Sequence, residues 1–122
     1  MKSTKPYLLK AFRDWLIDSQ LTPMIYVKTD ILGVQVPQKY IVNNHIMLNV
    51  SAEATDQFEQ DEYKVTFLAE FDEGVEQLRI PMVSIVGIVA SEIEWEWVFA
   101  DEDPQDDDPH EKAKGVPDLK VL

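Results

Sequence analysis

Tyr7, Leu8, Ala11, Phe12, Trp15 and Leu16 recur at intervals of three and four residues. That spacing predicts one amphipathic helix from about Pro6 to Ser19. Pro6 suits the first turn, where its missing N–H has no helical acceptor to lose, with Thr4 or Lys5 as the cap. Leu9 and Ile17 fall outside the apolar face. They are either scattered surface apolar residues or a second contact surface.

After Leu21-Thr22-Pro23 the period changes from helical to extended. Met24 to Lys28, Val34 to Val36, His45 to Val50, Tyr63 to Phe71 and Val75 to Ile80 are short and rich in β-branched and aromatic residues. They read as strands. Asn43-Asn44 and Asp72-Glu73-Gly74 are turn signals, the second joining two strands in a hairpin. Pro81 should end a strand. Met82 to Ala90 is too apolar for its period to choose between a buried strand and a short helical turn, and Trp95 to Phe99 reads as a final strand. Glu92, Glu94 and Glu96 alternate with Ile93, Trp95 and Trp97 as one strand with a wet and a dry face would. The predicted body is mainly β with an N-terminal α-helix.

Composition changes sharply beyond residue 100. From Asp101 to Glu111, seven acids and two prolines leave nothing to bury, so this stretch is expected to be disordered. Residues 1–100 carry 15 acids and 8 bases, net −7, while the remaining 22 carry 8 and 3, net −5. The last residues turn apolar again. The expected organisation is therefore a folded domain over 1–100, an acidic linker over 101–114 and a short terminal module over 115–122. A flexible linker of about 14 residues has an r.m.s. span of roughly 20 Å, lengthened by repulsion among its carboxylates.

The overall charge of −12 argues against nucleic acid and against anionic membrane surfaces. No apolar run approaches the ~20 residues of a membrane-spanning helix. Met1-Lys2-Ser3-Thr4-Lys5 leads into Pro6 and an amphipathic pattern, so no signal peptide is expected. The absence of cysteine removes thiol catalysis, cysteine-bound metals and disulfides, and fits a cytoplasmic location. His45 and His110 stand in no metal-ligand spacing, and the tail aspartates lack the turn glycine of a calcium loop. Asn49-Val50-Ser51 matches a glycosylation acceptor only by chance at a strand end. The four glycines are isolated, so no phosphate loop exists. No serine or threonine comes with an identifiable histidine partner. No cofactor, no metal and no enzymatic activity are expected.

A binding role remains. Val65, Phe67, Ala69 and Phe71 share one strand face, with a small residue between two rings. Ala69 there is either plain core packing or space for a ligand.

Pro6-Tyr7-Leu8-Leu9-Lys10-Ala11-Phe12 with Trp15-Leu16, then Leu21-Thr22-Pro23, Gly33-Val34-Gln35-Val36-Pro37 with Tyr40, Ile46-Met47-Leu48-Asn49 and Phe67-Leu68-Ala69-Glu70-Phe71 resemble the stringent starvation protein B (SspB) family. The tail is similar too, an acidic linker ending in Pro117-Asp118-Leu119-Lys120-Val121-Leu122. The resemblance implies a small Sm-like β-barrel or sandwich. It also implies a homodimeric adaptor that binds ssrA-type degradation tags and tethers tagged proteins to the ClpX unfoldase of ClpXP. On this resemblance, Leu48, Asn49, Val50, Phe67, Leu68, Ala69 and Phe71 would bind the peptide. Leu119, Lys120, Val121 and Leu122 would dock on ClpX, and Leu9 and Ile17 would lie at the dimer interface. Three places depart from the family pattern: Glu70 stands where a basic residue is usual, the chain stops at Leu122 without a following Lys, and Trp95-Glu96-Trp97 replaces a Gly-rich stretch. A rival reading is a general protein- or RNA-interaction β-barrel module without a proteolysis role.

Overall fold

The computed structural model describes residues 2–99. The linker, the terminal module and the four proposed ClpX-docking residues lie outside them.

Helix α1 spans Lys5–Asp18. The Ser3 hydroxyl caps it by accepting the Lys5 N–H at 3.1 Å, in place of Thr4, whose side chain makes no cap bond. At the other end Gln20 adopts φ 63°, and Leu21 N–H donates to Leu16 O at 2.8 Å while Gln20 N–H donates to Ile17 O at 3.0 Å. This is a Schellman closure with a non-glycine residue in the left-handed position.

The apolar periodicity identified the helix but rotated its inner face. Leu9 is 2% exposed and Leu16 fully buried, with Pro6 also inside, whereas Tyr7 and Trp15 face outward. Leu9 is therefore covered by its own chain and has no surface to offer a dimer partner. The assignment failed because Tyr7, Ala11 and Trp15 mimic a continuous stripe. Two polar residues that no apolar count would include, Lys5 and Arg13, share the inward side. Ile17 is half-buried on the flank of Pro6 and Arg13.

Seven strands follow: β1 Pro23–Lys28, β2 His45–Asn49, β3 Asp56–Gln60, β4 Lys64–Phe71, β5 Gly74–Pro81, β6 Ile85–Ala90 and β7 Glu96–Val98. They form two antiparallel sheets, ordered β2-β1-β6-β7 and β3-β4-β5. The mainly β fold with one N-terminal helix is thus as expected. The sheets stay separate and no closed barrel forms among the described residues.

The inner faces of both sheets and α1 share one core built from Ile25, Val27, Ile46, Leu48, Val65, Phe67, Leu78, Ile80, Ile85 and Ile88, with Leu9 and Leu16 from the helix. The Asn43-Asn44 turn takes φ 52° and 62° between Val42 and His45, as a type I′ turn requires. Val34 to Val36 does not become a strand. Gln35 makes a single bridge to Arg79, and Pro37, which cannot donate, cuts any extension short.

The ambiguous run 82–90 is both things in succession, a 3-10 turn Met82–Ser84 and then β6. Strand β3 escaped the pattern because Phe58 is its only apolar residue; that ring stacks on Phe67 at 5.9 Å. Gly87 permits β7 to lie against β6, since a Cβ there would stand 2.9 Å from the Trp97 carbonyl oxygen.

The alternating glutamates are not one strand. Only Glu96 lies in β7. Glu92 sits in a bend, where its carboxylate accepts the Thr22 N–H at 2.8 Å and the Thr22 hydroxyl at 2.5 Å. Both donors favour the charged form and hold Glu92 below the ordinary glutamate value. The resulting stabilisation is complete above the unfolded-state value of about 4.3. It is lost as pH falls through the lower folded-state value.

Two outcomes follow. Leu9→Ala should cost about 2–5 kcal/mol and Ile17→Ala about 1 kcal/mol in urea unfolding, because only the first removes a fully enclosed side chain. Thr22→Val should raise the Glu92 midpoint in a carboxyl NMR titration, and the stability gap to the wild type should narrow as pH falls below about 4.

Candidate functional site

The β4–β5 hairpin positions the site. Their inner faces carry Val65 and Phe67 against Ile80 and Leu78, all buried. Alternation continues the same rows toward the turn with Ala69 and Phe71, which stand across from Glu76 and Gly74. These four are no longer enclosed. Gly74, at φ 119°, closes the two-residue turn, and a Cβ placed on it would meet no heavy atom within 4 Å. Space is therefore open on the inner face beside Phe71.

The segment from Gln35 to Val42 crosses this end of the molecule. Gln35 and Arg79 exchange both backbone hydrogen bonds, at 2.8 and 3.1 Å, and Val42 pairs with His45 at the start of β2. Between these anchors the 3-10 turn Gln38–Tyr40 brings the Tyr40 ring to 5.4 Å from Phe71, and Lys39 Nζ lies 3.4 Å from the Asp72 carboxylate. Val34, Val36 and Ile41 pack half-buried on the core along the way. Tyr40, Ala69, Phe71, Gly74 and Glu76 thus gather at this end of the sheet and remain only partly covered, and the space they border is termed the recess below.

The adjoining strand edge adds the second half of a peptide site. Arg79 uses its N–H and C=O on Gln35, on the side of β5 away from β4. In an antiparallel strand alternate residues present these groups to the same side. Gln77 and Val75 therefore turn theirs outward, and no bond to another described residue occupies them. An unpaired edge beside an apolar recess is the physical requirement for adding an extended strand.

Of the seven residues proposed for peptide binding, the structure brings Ala69 and Phe71 into this recess. Leu48, Val50 and Phe67 are enclosed core residues. Leu68 points to the opposite face of the sheet, paired with Gln77, and Asn49 lies on the outer side of β2, where its Oδ1 accepts the Ser51 N–H at 2.9 Å. Sequence reasoning did not assign Tyr40, Gly74 or Glu76 to the site. The turn glycine and period-two alternation on β5 were signals that could have placed the last two, whereas nothing local linked Tyr40 to Phe71.

A second exposed surface lies on the other flank of α1. Phe12 contacts Trp95 and Trp97 at centroid distances of 5.2 and 5.1 Å, and Trp15 contacts Trp95 at 5.1 Å. Trp95 packs half-buried on the core, while Trp97 and Trp15 remain 43% and 47% exposed.

Among the described residues no group of three or more His, Asp or Glu converges as metal ligands, and no helix is long and apolar enough to cross a membrane. A shallow recess on the outer face of the second sheet, lined by Glu59, Gln60, Asp61, Lys64 and Thr66, is polar and internally paired. The Asp61 carboxylate accepts the Tyr63 and Lys64 backbone N–H groups, which hold it below its ordinary value, and Lys64 Nζ lies 3.2 Å away.

A model of the Stringent starvation protein B family matches residues 3–120. A curated relative from Haemophilus influenzae, described as Stringent starvation protein B homolog, is 40% identical over 88 residues. The aligned part covers 72% of this chain and 59% of that relative's length. With the match running through helix, both sheets and tail, the chain belongs to the Stringent starvation protein B family.

Proposed function

We propose that this chain is a proteolysis adaptor that binds ssrA-type degradation tags and tethers the tagged proteins to the ClpX unfoldase of ClpXP. The observation that carries the reading is the free β5 edge at Val75 and Gln77 next to the Tyr40–Ala69–Phe71 recess. Backbone bonds along such an edge supply affinity for any extended segment, and the recess supplies a choice among side chains. Family membership supports the same role.

The chemistry asked of the protein is binding alone. A tag held weakly by the folded body and an unfoldase held weakly by residues 119–122 are kept at high effective concentration by the segment that joins them. Weak contacts also permit release. A homodimer presenting two such tails would gain avidity without new contacts. The aromatic flank of α1, with Trp15 and Trp97, is the surface that suits a second copy, since Leu9 is spent inside the chain.

A labelled ssrA peptide should bind the full chain at micromolar concentration in fluorescence anisotropy. Ala69→Leu, which fills the recess, should weaken it about tenfold or more with little change in unfolding midpoint. Deleting residues 119–122 should leave peptide binding intact and abolish the enhancement of ClpXP degradation. Absence of binding at tens of micromolar, or delivery that survives the deletion, would remove the corresponding half of the proposal. In sedimentation, Trp15→Glu should shift a wild-type dimer toward monomer, and an unchanged mass would relocate the interface.

A further inference from the structure

Glu76 is the group at the recess that packing does not explain. It stands on the inner face of β5, in one row with the buried Leu78 and Ile80 and directly across from Ala69. It is half-buried, and no hydrogen bond or ion pair to another described residue satisfies it. Among the described residues its own chain supplies neither a cation nor an N–H donor to that carboxylate, so its hydrogen-bonding capacity on the inner face is left to solvent or to a ligand. A cation arriving with a ligand would find an acceptor there that no other described residue occupies.

The surroundings select the same charge. Residues 70–76 contain Glu70, Asp72, Glu73 and Glu76 and no basic residue. Lys39, which approaches this end, is already paired with Asp72. Gly74 leaves the space across from Phe71 empty, enough for an aliphatic stem to lie along the ring while its charged head reaches the carboxylate.

We propose that the recess receives an extended peptide whose side chain opposite Glu76 is lysine or arginine, so that this adaptor selects tags with a basic residue at that register. The inference rests on the extended-peptide reading above and names the substrate class for the same site. A peptide strand on the β5 edge sends alternate side chains to the inner face. One of these meets Phe71, Tyr40 and Glu76, and an acidic side chain there would face the Glu76 carboxylate with no cation between them.

The test uses the full-length protein and labelled extended peptides identical except at one scanned position, which carries Lys, Gln or Glu. At one register Lys should bind about fivefold tighter than Gln, with Glu weaker than both. The spread should shrink between about 50 and 500 mM salt. Glu76→Gln should reduce the Lys preference to near one, whereas Glu70→Gln, on the outer face, should retain most of it. If Glu76→Gln fails to fold, the salt dependence of the wild-type preference and the Glu76→Asp variant, which keeps the charge and should keep the preference, carry the decision. Equal binding of the three peptides at every register, or a Lys preference that survives Glu76→Gln, overturns the inference and leaves the adaptor reading standing. Failure of every peptide to bind overturns both.

Discussion

Two sheets that share no strand have to be held together by something other than a hydrogen-bonded ladder, and helix α1 does it. Its Leu9 and Leu16 enter the common core, but the polar contacts determine where it sits. Lys5 Nζ donates to the carbonyls of Met82 and Ile85 at 3.2 and 2.9 Å, tying the first turn to the entry of β6. Arg13 Nε donates to Val50 O at 2.7 Å, just past β2, and its guanidinium lies 3.6 Å from the Phe58 ring centroid on β3. One side chain thus touches both sheets. Gln60, at the end of β3, donates to Pro6 O at 2.7 Å. Burial pulls the Arg13 pKa below its ordinary value, with Asp14 opposing, yet a guanidinium stays charged at any ordinary pH. A half-buried cation held by a carbonyl and an aromatic face is positional information as much as energy.

Because the helix clamps one end of the sheets, the other end is left to the β4–β5 turn and the crossing segment 35–42. There the enclosed rows of β4 and β5 run out of covering elements, and Ala69, Phe71 and Glu76 continue past the edge of the core. The candidate site is where the fold stops supplying partners to an otherwise regular pattern.

This division explains what the sequence could show. Strands β1, β2, β4 and β5 and the Asn43-Asn44 and Asp72-Glu73 turns were legible because each is a local pattern. The inner face of α1 was not, since Lys5 and Arg13 face inward for reasons set by carbonyls and a ring from distant parts of the chain. Strand β3 has one apolar residue and is recruited by β4 rather than by its own propensity. Alternation placed Ala69 and Phe71 on the inner face of β4 with Val65 and Phe67, as the structure has them, while Leu48, Val50 and Phe67, expected at a peptide surface, lie beneath it. Tyr40 joins Phe71 across 31 positions, a pairing no window contains.

The three-residue strand β7 sits at the margin of its sheet, and Phe99 beyond it is fixed by an N–H to Val86 O at 2.8 Å and by the Lys5 ammonium 5.6 Å from its ring. Everything C-terminal to it leaves from this root. Tension on that end would load β7 in a zipper-like geometry, one bond at a time, and Lys5 would pass the strain to the first turn of the helix. The edge strand that would take this load first belongs to the other sheet from the recess, and its loss would part Trp97 from Phe12 without breaking a β4–β5 bond.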